Sequence, residues 1–258
     1  MKIFFSENRV DYSNYTFDYA IYCLKETQEE LGEIYEKGFL PYTGDLSIEG
    51  DIFYLARSLR VELDSFDDTS ENRRVNRLVE PLKVELEVIK KEDFNLEDPA
   101  FTEFCQSYIS QRIGDDNMSI ERWQYILSRE TGTHILKFTS EGKFLGFILG
   151  AMGGDFLHYW FAFFDTEYMR THSLGKWMMW RAIRWAKDNR LKYVYLGTAY
   201  KPSALYKIRD HKGLAYFNGH GWSKDVERLK ELCKTDLEAK EADQFKLLAD
   251  RNVFLKNL

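Results

Sequence analysis

A chain of 258 residues is at the upper end for one hydrophobic core and comfortable for two. Its hydrophobic fraction of 44% and charged fraction of 30% are ordinary for a soluble globular protein, and only four prolines argue against long disordered linkers. A formal net charge of −6 excludes a surface wholly coated for nucleic acid but leaves room for a local basic one.

Cys23, Cys105 and Cys233 lie far apart, with no C-x-x-C and no Cys/His cluster. That spacing suggests neither a disulfide framework nor a zinc site, so no metal is expected and three reduced thiols fit a cytoplasmic protein. The opening residues, MKIFFSENRVDY, hold no sustained apolar run, and no stretch is long enough to span a bilayer. The expectation is a soluble, intracellular protein without a membrane partner.

KIFF opens the chain as a strand, followed by the alternation Tyr15, Phe17, Tyr19, Ile21. A helix over about 26–37 ends at Gly38, GFLPYTG (38–44) reads as a turn, and DIFYLARSLRVEL (51–63) reads as one strand. DDTSENRRVNRLV opens a helix, with Asp67, Asp68 and Thr69 supplying its cap and Pro81 beyond its end. PLKVELEVIKKEDF is a further strand that breaks at Asp98 and Pro99.

From about residue 100 the texture changes. Two helices are expected near 100–113 and 119–130, the second capped by Ser119 with Trp123, Ile126 and Leu127 on one face. THILKFT, KFLGFILGAM and DFLHYWFAFF then form a meander, divided by the turns SEG (140–142) and GG (153–154). A glycine turn and a helix follow, then the strand KYVYLGTA, a short helix at about 203–209 and the strand GLAYFNG. Helices near 224–233 and 236–250 close the chain. The fold class is α+β, a mixed sheet with helices, and the expected domains are a smaller N-terminal one over 1–98 and a larger one over 99–258.

Three local features carry chemistry. Ser173-Leu174-Gly175 begins the helix after the meander, where free backbone N–H groups and the dipole end can seat an anion. The alternative is a plain N-cap and a packing glycine. Along that helix, Leu174, Met178, Met179, Ala182, Ile183, Trp185 and Ala186 fall on one half, the core face. Lys176, Trp177, Trp180, Arg181, Arg184 and Lys187 fall on the other, a mixture suited to phosphates and stacked bases. Here the alternative is that both tryptophans pack beneath the N-terminal domain while the cations are solvated. Tyr206 and Lys207, on the short helix, offer a phenol that can act as general acid and a cation for donor phosphates. A half-buried tyrosine without a role is the alternative. No nucleophile elbow, P-loop or dinucleotide fingerprint is present.

The order helix, helix, meander, glycine turn, helix, strand, helix, strand resembles the GNAT acyltransferase fold. GNAT enzymes that use acyl-CoA usually carry R/Q-x-x-G-x-G/A before the helix, whereas this chain has Arg170-Thr-His-Ser-Leu-Gly with a single glycine. Two stretches together resemble the arginyl- and leucyl-tRNA–protein transferases. In YWFAFFDTEYMRTHSLGKWMMWRAIRWAKDNRLKYVYLGTAY, the residues Asp165, Ser173, Leu174, Gly175, Gly197 and Tyr200 match position by position. In the segment 38–77, Arg57, Arg60, Phe66, Ser70, Arg73 and Arg74 fill the family's N-terminal pattern. The family's N-terminal cysteines are absent, and the resemblance covers about half the chain.

The resemblance implies direct transfer of an amino acid from charged tRNA to an amine on a protein or peptide, with no resident cofactor. It implies Tyr206 and Asp165 as catalytic groups. Ser173, Leu174, Gly175, Lys176, Trp177, Trp180, Arg181, Arg184, Tyr200 and Lys207 would hold the donor, and Arg57, Arg60, Arg73 and Arg74 the acceptor. Two other classes stay open: an acyl-CoA-dependent N-acyltransferase on a small amine or protein, and a non-catalytic shell that binds tRNA or a protein.

Overall fold

A computed structural model describes residues 1–11, 16–44, 46, 50–114 and 116–236. Two compact units divide the chain: Met1–Asp67 together with Tyr193–Leu258, and Asp68–Lys192. The boundary expected at residue 99 falls inside the second unit.

The discontinuous unit opens with β1 (Lys2–Asp11), antiparallel to β2 (Thr16–Leu24). The two-residue period of a strand sends Ile21 and Cys23 to the buried face and Tyr22 to the other. Helix α1 (Leu31–Glu36) buries Leu31, Ile34 and Tyr35 and ends at Gly38, whose φ of +83° closes the turn. GFLPYTG is not only a turn: Phe39–Pro41 form a short edge strand, β3, paired with β4 (Ile52–Leu55). Pro41 has no N–H for a ladder, and an edge position tolerates that. The sheet order is β1-β2-β4-β3.

The single strand expected over 51–63 is two strands in different sheets. After β4 the chain turns at Ala56 and Arg57, and β5 (Ser58–Glu62) lies between two later strands, Tyr193–Thr198 and Leu214–Phe217, antiparallel to both. The run looks continuous because Ser58, Leu59, Arg60 and Val61 are buried on both faces, which erases the usual alternation.

The continuous unit begins at α2 (Ser70–Val79), where Thr69 and Asn72 cap each other: the Asn72 N–H donates to Thr69 Oγ1 at 3.1 Å and the Thr69 N–H to Asn72 Oδ1 at 3.0 Å. Next come β6 (Glu85–Lys90), α3 (Pro99–Tyr108) continued by a π-turn to Ile113, and α4 (Ile120–Ser128), capped by Ser119 as expected. The meander is β7 (His134–Ser140), β8 (Lys143–Gly153) and β9 (Phe156–Phe164), and these pair in the order β9-β8-β7-β6. Phe101, Cys105, Trp123, Phe147 and Phe163 form a shared core of α3, α4 and the meander, with Trp123 stacked on Phe163 at 4.6 Å. In β9, Leu149 faces Phe161 but Gly150 faces Tyr159, so Trp160 is an extra residue, a β-bulge. Helices α5 (Tyr168–His172) and α6 (Leu174–Asp188) complete the unit, and both pack against α2.

The discontinuous unit resumes with β10 (Tyr193–Thr198), α7 (Leu205–Arg209), β11 (Leu214–Phe217), β12 (Trp222–Ser223) and α8 (Val226–Thr235). Within this unit the second sheet runs β12-β11-β5-β10. Residues 237–250 of the last expected helix, and Tyr15 of the early alternation, lie outside the described residues. Cys23, Cys105 and Cys233 are buried free thiols. No helix of the described residues is long and apolar enough to cross a membrane.

Candidate active site

The turn into α6 is built from the end of β9. Asp165 caps it: Oδ1 accepts the Glu167 N–H at 3.0 Å and Oδ2 pairs with Lys143 Nζ at 2.8 Å. This contact raises the pKa of the Lys143 ammonium. Oδ1 thus caps the turn and Oδ2 is tied to the start of β8, so both oxygens of the carboxylate expected to be catalytic are engaged within the unit. The residues before α6 are themselves helical. The N–H groups of Tyr168, Met169 and Ser173 donate to Asp165, Thr166 and Tyr168 carbonyls. Ser173 takes a left-handed conformation (φ 53°, ψ 40°) and its side chain makes no cap hydrogen bond. At Gly175 a Cβ would stand 2.5 Å from Cε1 of Phe164, so the glycine makes room for that ring.

The two tryptophans of α6 are interior. Trp177 is 5% exposed and Trp180 9%, and each spends its indole N–H on α2 or its lead-in: Trp177 on Asn76 Oδ1 at 3.1 Å, Trp180 on Asp68 Oδ1 at 2.7 Å. Neither ring is free to stack on a base, so the expected base-stacking role is corrected. Leu174, Met178, Met179, Ala182, Ile183 and Ala186 are buried as expected, while Trp185, expected among them, is only half-buried; with Trp177 and Trp180 they leave α6 enclosed on well over half its circumference.

The cations form a pattern that spacing on one helix does not show. Lys176 reaches Glu71 at 3.2 Å, and Arg74 holds the same carboxylate at 2.7 Å; Arg74 is the larger cause of a Glu71 pKa lowered to about 2. Arg184 approaches Asp68 Oδ2 at 3.6 Å, and Arg73 donates to the Asp68 carbonyl at 2.9 Å. The presumed acceptor arginines Arg73 and Arg74 therefore share one surface with the presumed donor residues Lys176 and Arg184. Arg77 of α2 and Arg181 of α6 make no hydrogen bond or ion pair among the described residues.

The discontinuous unit holds a second polar cluster, at the end of β10. Tyr195 faces Arg60 but Thr198 faces Ser58, so β10 carries one extra residue here, and Gly197 takes a φ of +77° that L residues avoid. Lys207 sets its ammonium on the bulge, donating to the carbonyls of Leu196 at 2.8 Å and Thr198 at 3.2 Å. Among the described residues it has no carboxylate partner, and burial lowers its pKa to about 8. On the same short helix Tyr206 is half-buried; burial first, and the Asp210 charge second, raises the pKa of its phenol.

Arg57 and Arg60 are not surface groups. Arg57, 1% exposed, makes a two-pronged pair with Asp236 (2.9 and 3.0 Å) and donates to the Ala199 carbonyl at 3.1 Å. Its backbone N–H donates to the Tyr200 hydroxyl at 2.8 Å, and burial raises the pKa of that phenol. Arg60 lies between the Tyr193 and Trp222 rings, 4.0 and 4.1 Å from their centroids, and pairs with Glu36 and Glu62. Both arginines hold the unit together, which corrects their assignment to an acceptor. Tyr200 likewise braces Arg57. Asp236 escaped sequence reasoning altogether, since nothing near it marks a carboxylate that will be buried.

A family model described as an acetyltransferase (GNAT) domain matches residues 72–207, just over half the chain. The chain belongs to the GNAT family. Among solved structures this GNAT protein is similar to L-PGS from Bacillus licheniformis (12% identity, TM-score 0.43, 68% of this chain and 51% of that one). It is also similar to the C-terminal domain of a putative lysylphosphatidylglycerol synthetase from Agrobacterium fabrum (12%, 0.42, 83% and 72%) and to FemX (13%, 0.41, 69% and 63%). The chain spans about half the length of L-PGS. No curated protein matches it.

Proposed function

We propose that this GNAT protein is an aminoacyl-tRNA-dependent transferase that moves an amino acid from charged tRNA to an amine on a protein or peptide. The observation that carries the reading is the turn into α6. A donor held by its pyrophosphate needs free loop amides and close backbone approach before that helix. Here the N–H groups of Tyr168, Met169 and Ser173 are spent on carbonyls of the preceding turn and of α5, and the space beside the lone Gly175 is filled by Phe164. The cations on α2 and α6 then supply sequence-independent contacts to an RNA backbone.

The chemistry is direct. A deprotonated amine attacks the ester carbonyl at the tRNA 3′ end, a C–N bond forms and the C–O bond breaks. The amine loses a proton and the departing hydroxyl oxygen gains one. Tyr206, whose phenol keeps its proton at neutral pH, is the proposed acid. Lys207 keeps one N–H beyond the two spent on the bulge, available to an anionic oxygen of the donor. An ester needs less activation than an amide, so orientation supplies much of the rate.

The acetyltransferase description of the family model favours a second reading, acyl-CoA as donor. Binding of charged tRNA and of acetyl-CoA across a salt series separates the two. The proposal expects a tRNA affinity whose logarithm falls linearly with log salt and which weakens in Arg73→Glu/Arg181→Glu. Tight acetyl-CoA binding without tRNA binding would overturn it in favour of the second reading.

A further inference from the structure

Asp236, the residue that follows α8, reaches two separate parts of the chain. Its Oδ2 accepts both Arg57 Nη1 at 2.9 Å and the backbone N–H of Lys201 at 2.7 Å, while Oδ1 takes Arg57 Nη2 at 3.0 Å. Lys201 sits between β10 and the turn into α7, with φ 61° and ψ 164°. Those angles belong to a region that essentially only glycine occupies without strain. Pro202 accounts for the extended ψ, because a residue before proline is driven there. The positive φ has no such local cause. The Lys201 side chain is exposed, so it is the backbone, through its N–H, that is held.

We propose that the Arg57–Asp236 pair is a latch that keeps Lys201 in this left-handed turn and thereby fixes where α7 carries Tyr206 and Lys207. The route is short. The Lys201 carbonyl accepts the Ala204 N–H at 3.1 Å, the turn Pro202–Ala204 runs directly into α7, and Lys207 then docks on the β10 bulge. Arg57 holds the other end of the connection through the Ala199 carbonyl, and Cys233 Sγ lies 3.4 Å from the same oxygen. Asp236 and Arg57 are positioning residues: neither offers a group to a substrate.

The latch matters to catalysis only if Tyr206 and Lys207 serve the transfer proposed above, but its test needs no donor. Acetic anhydride labels lysines, and mass spectrometry reads Lys207 against the exposed Lys90 and Lys224. At about pH 10, where the amine is substantially deprotonated in both states, the latch inference expects Lys207 in Asp236→Asn to label about tenfold faster, as local opening exposes the amine. Adding Lys201→Gly, which accepts the turn without a latch, should restore slow labelling. Unchanged labelling in Asp236→Asn would overturn the inference, and so would a double variant that stays fast. Lys201→Gly alone, with Asp236 intact, should leave the thermal midpoint no lower than wild type, and a lowered midpoint would likewise overturn it. Should Asp236→Asn fail to fold, the double variant decides: recovery of a cooperative fold supports the latch, and continued failure counts against it. Failure of the transferase reading would show instead as absence of tRNA binding, with labelling unaffected.

Discussion

Trp180 donates its indole N–H to the Asp68 carboxylate at 2.7 Å. The flat rings that punctuate the cations of α6 are the packing face of that helix against α2, and the cations flank the seam. Trp180→Phe keeps an aromatic ring, though a smaller one, and abandons the donor. It is expected to cost about 1.5–3 kcal/mol, the range for a hydrogen bond to a charged group. A lowered urea midpoint with unchanged tRNA affinity checks this. Lost affinity at an unchanged midpoint would return the ring to the ligand side.

Gly175 tests whether the turn into α6 is as full as its geometry indicates. Gly175→Ala places a methyl group 2.5 Å from the Phe164 ring, and overpacking of that kind costs about 1–3 kcal/mol. Phe164→Leu in the same chain should recover part of the loss. A neutral Gly175→Ala in thermal unfolding would mean that space is open there.

Lys207 makes stability depend on pH in a defined direction. Its folded-state pKa of about 8 lies below the ordinary 10.5, so between those values the unfolded chain binds the additional proton. Stability therefore rises with pH across that window and is flat on either side, by at most about 3 kcal/mol. Urea midpoints of wild type and Lys207→Met, compared from about pH 7.5 to 10.5, should show the wild type gaining on the variant. Parallel profiles would refute the burial cost.

Arg57→Met leaves Asp236 buried at 4% exposure without its counter-charge. Breaking a buried pair from one side typically costs about 3–5 kcal/mol. The midpoint in urea reads it, and a loss near that of an exposed arginine would show that water reaches the carboxylate.

Much of the fold is legible from local pattern. The Thr69 and Ser119 caps, the meander with its two turns, and the core stripe of α6 all stand where their side chains dictate. What fails is long-range. The 51–63 run hides a change of sheet because β5 is buried on both faces, and periodicity then says nothing. Arg57 and Arg60 match a family pattern, yet only the fold reveals partners as distant in sequence as Asp236 and Trp222. The tryptophans mislead for the same reason. Amphipathicity ranks Trp177 and Trp180 with their charged neighbours, and only α2 and the residues leading into it, a hundred positions earlier, supply the acceptors for their N–H groups.

The seat of β5 between β10 and β11 sets an order on biosynthesis. Residues 58–62 leave the ribosome well before either of their neighbours, 193–198 and 214–217. The segment 68–192 is continuous and can close its meander while the nascent chain is still growing, since domains generally fold as units during synthesis. Until those segments emerge, the strand lacks both of its sheet neighbours, and unpaired strand edges are what invite pairing with another chain.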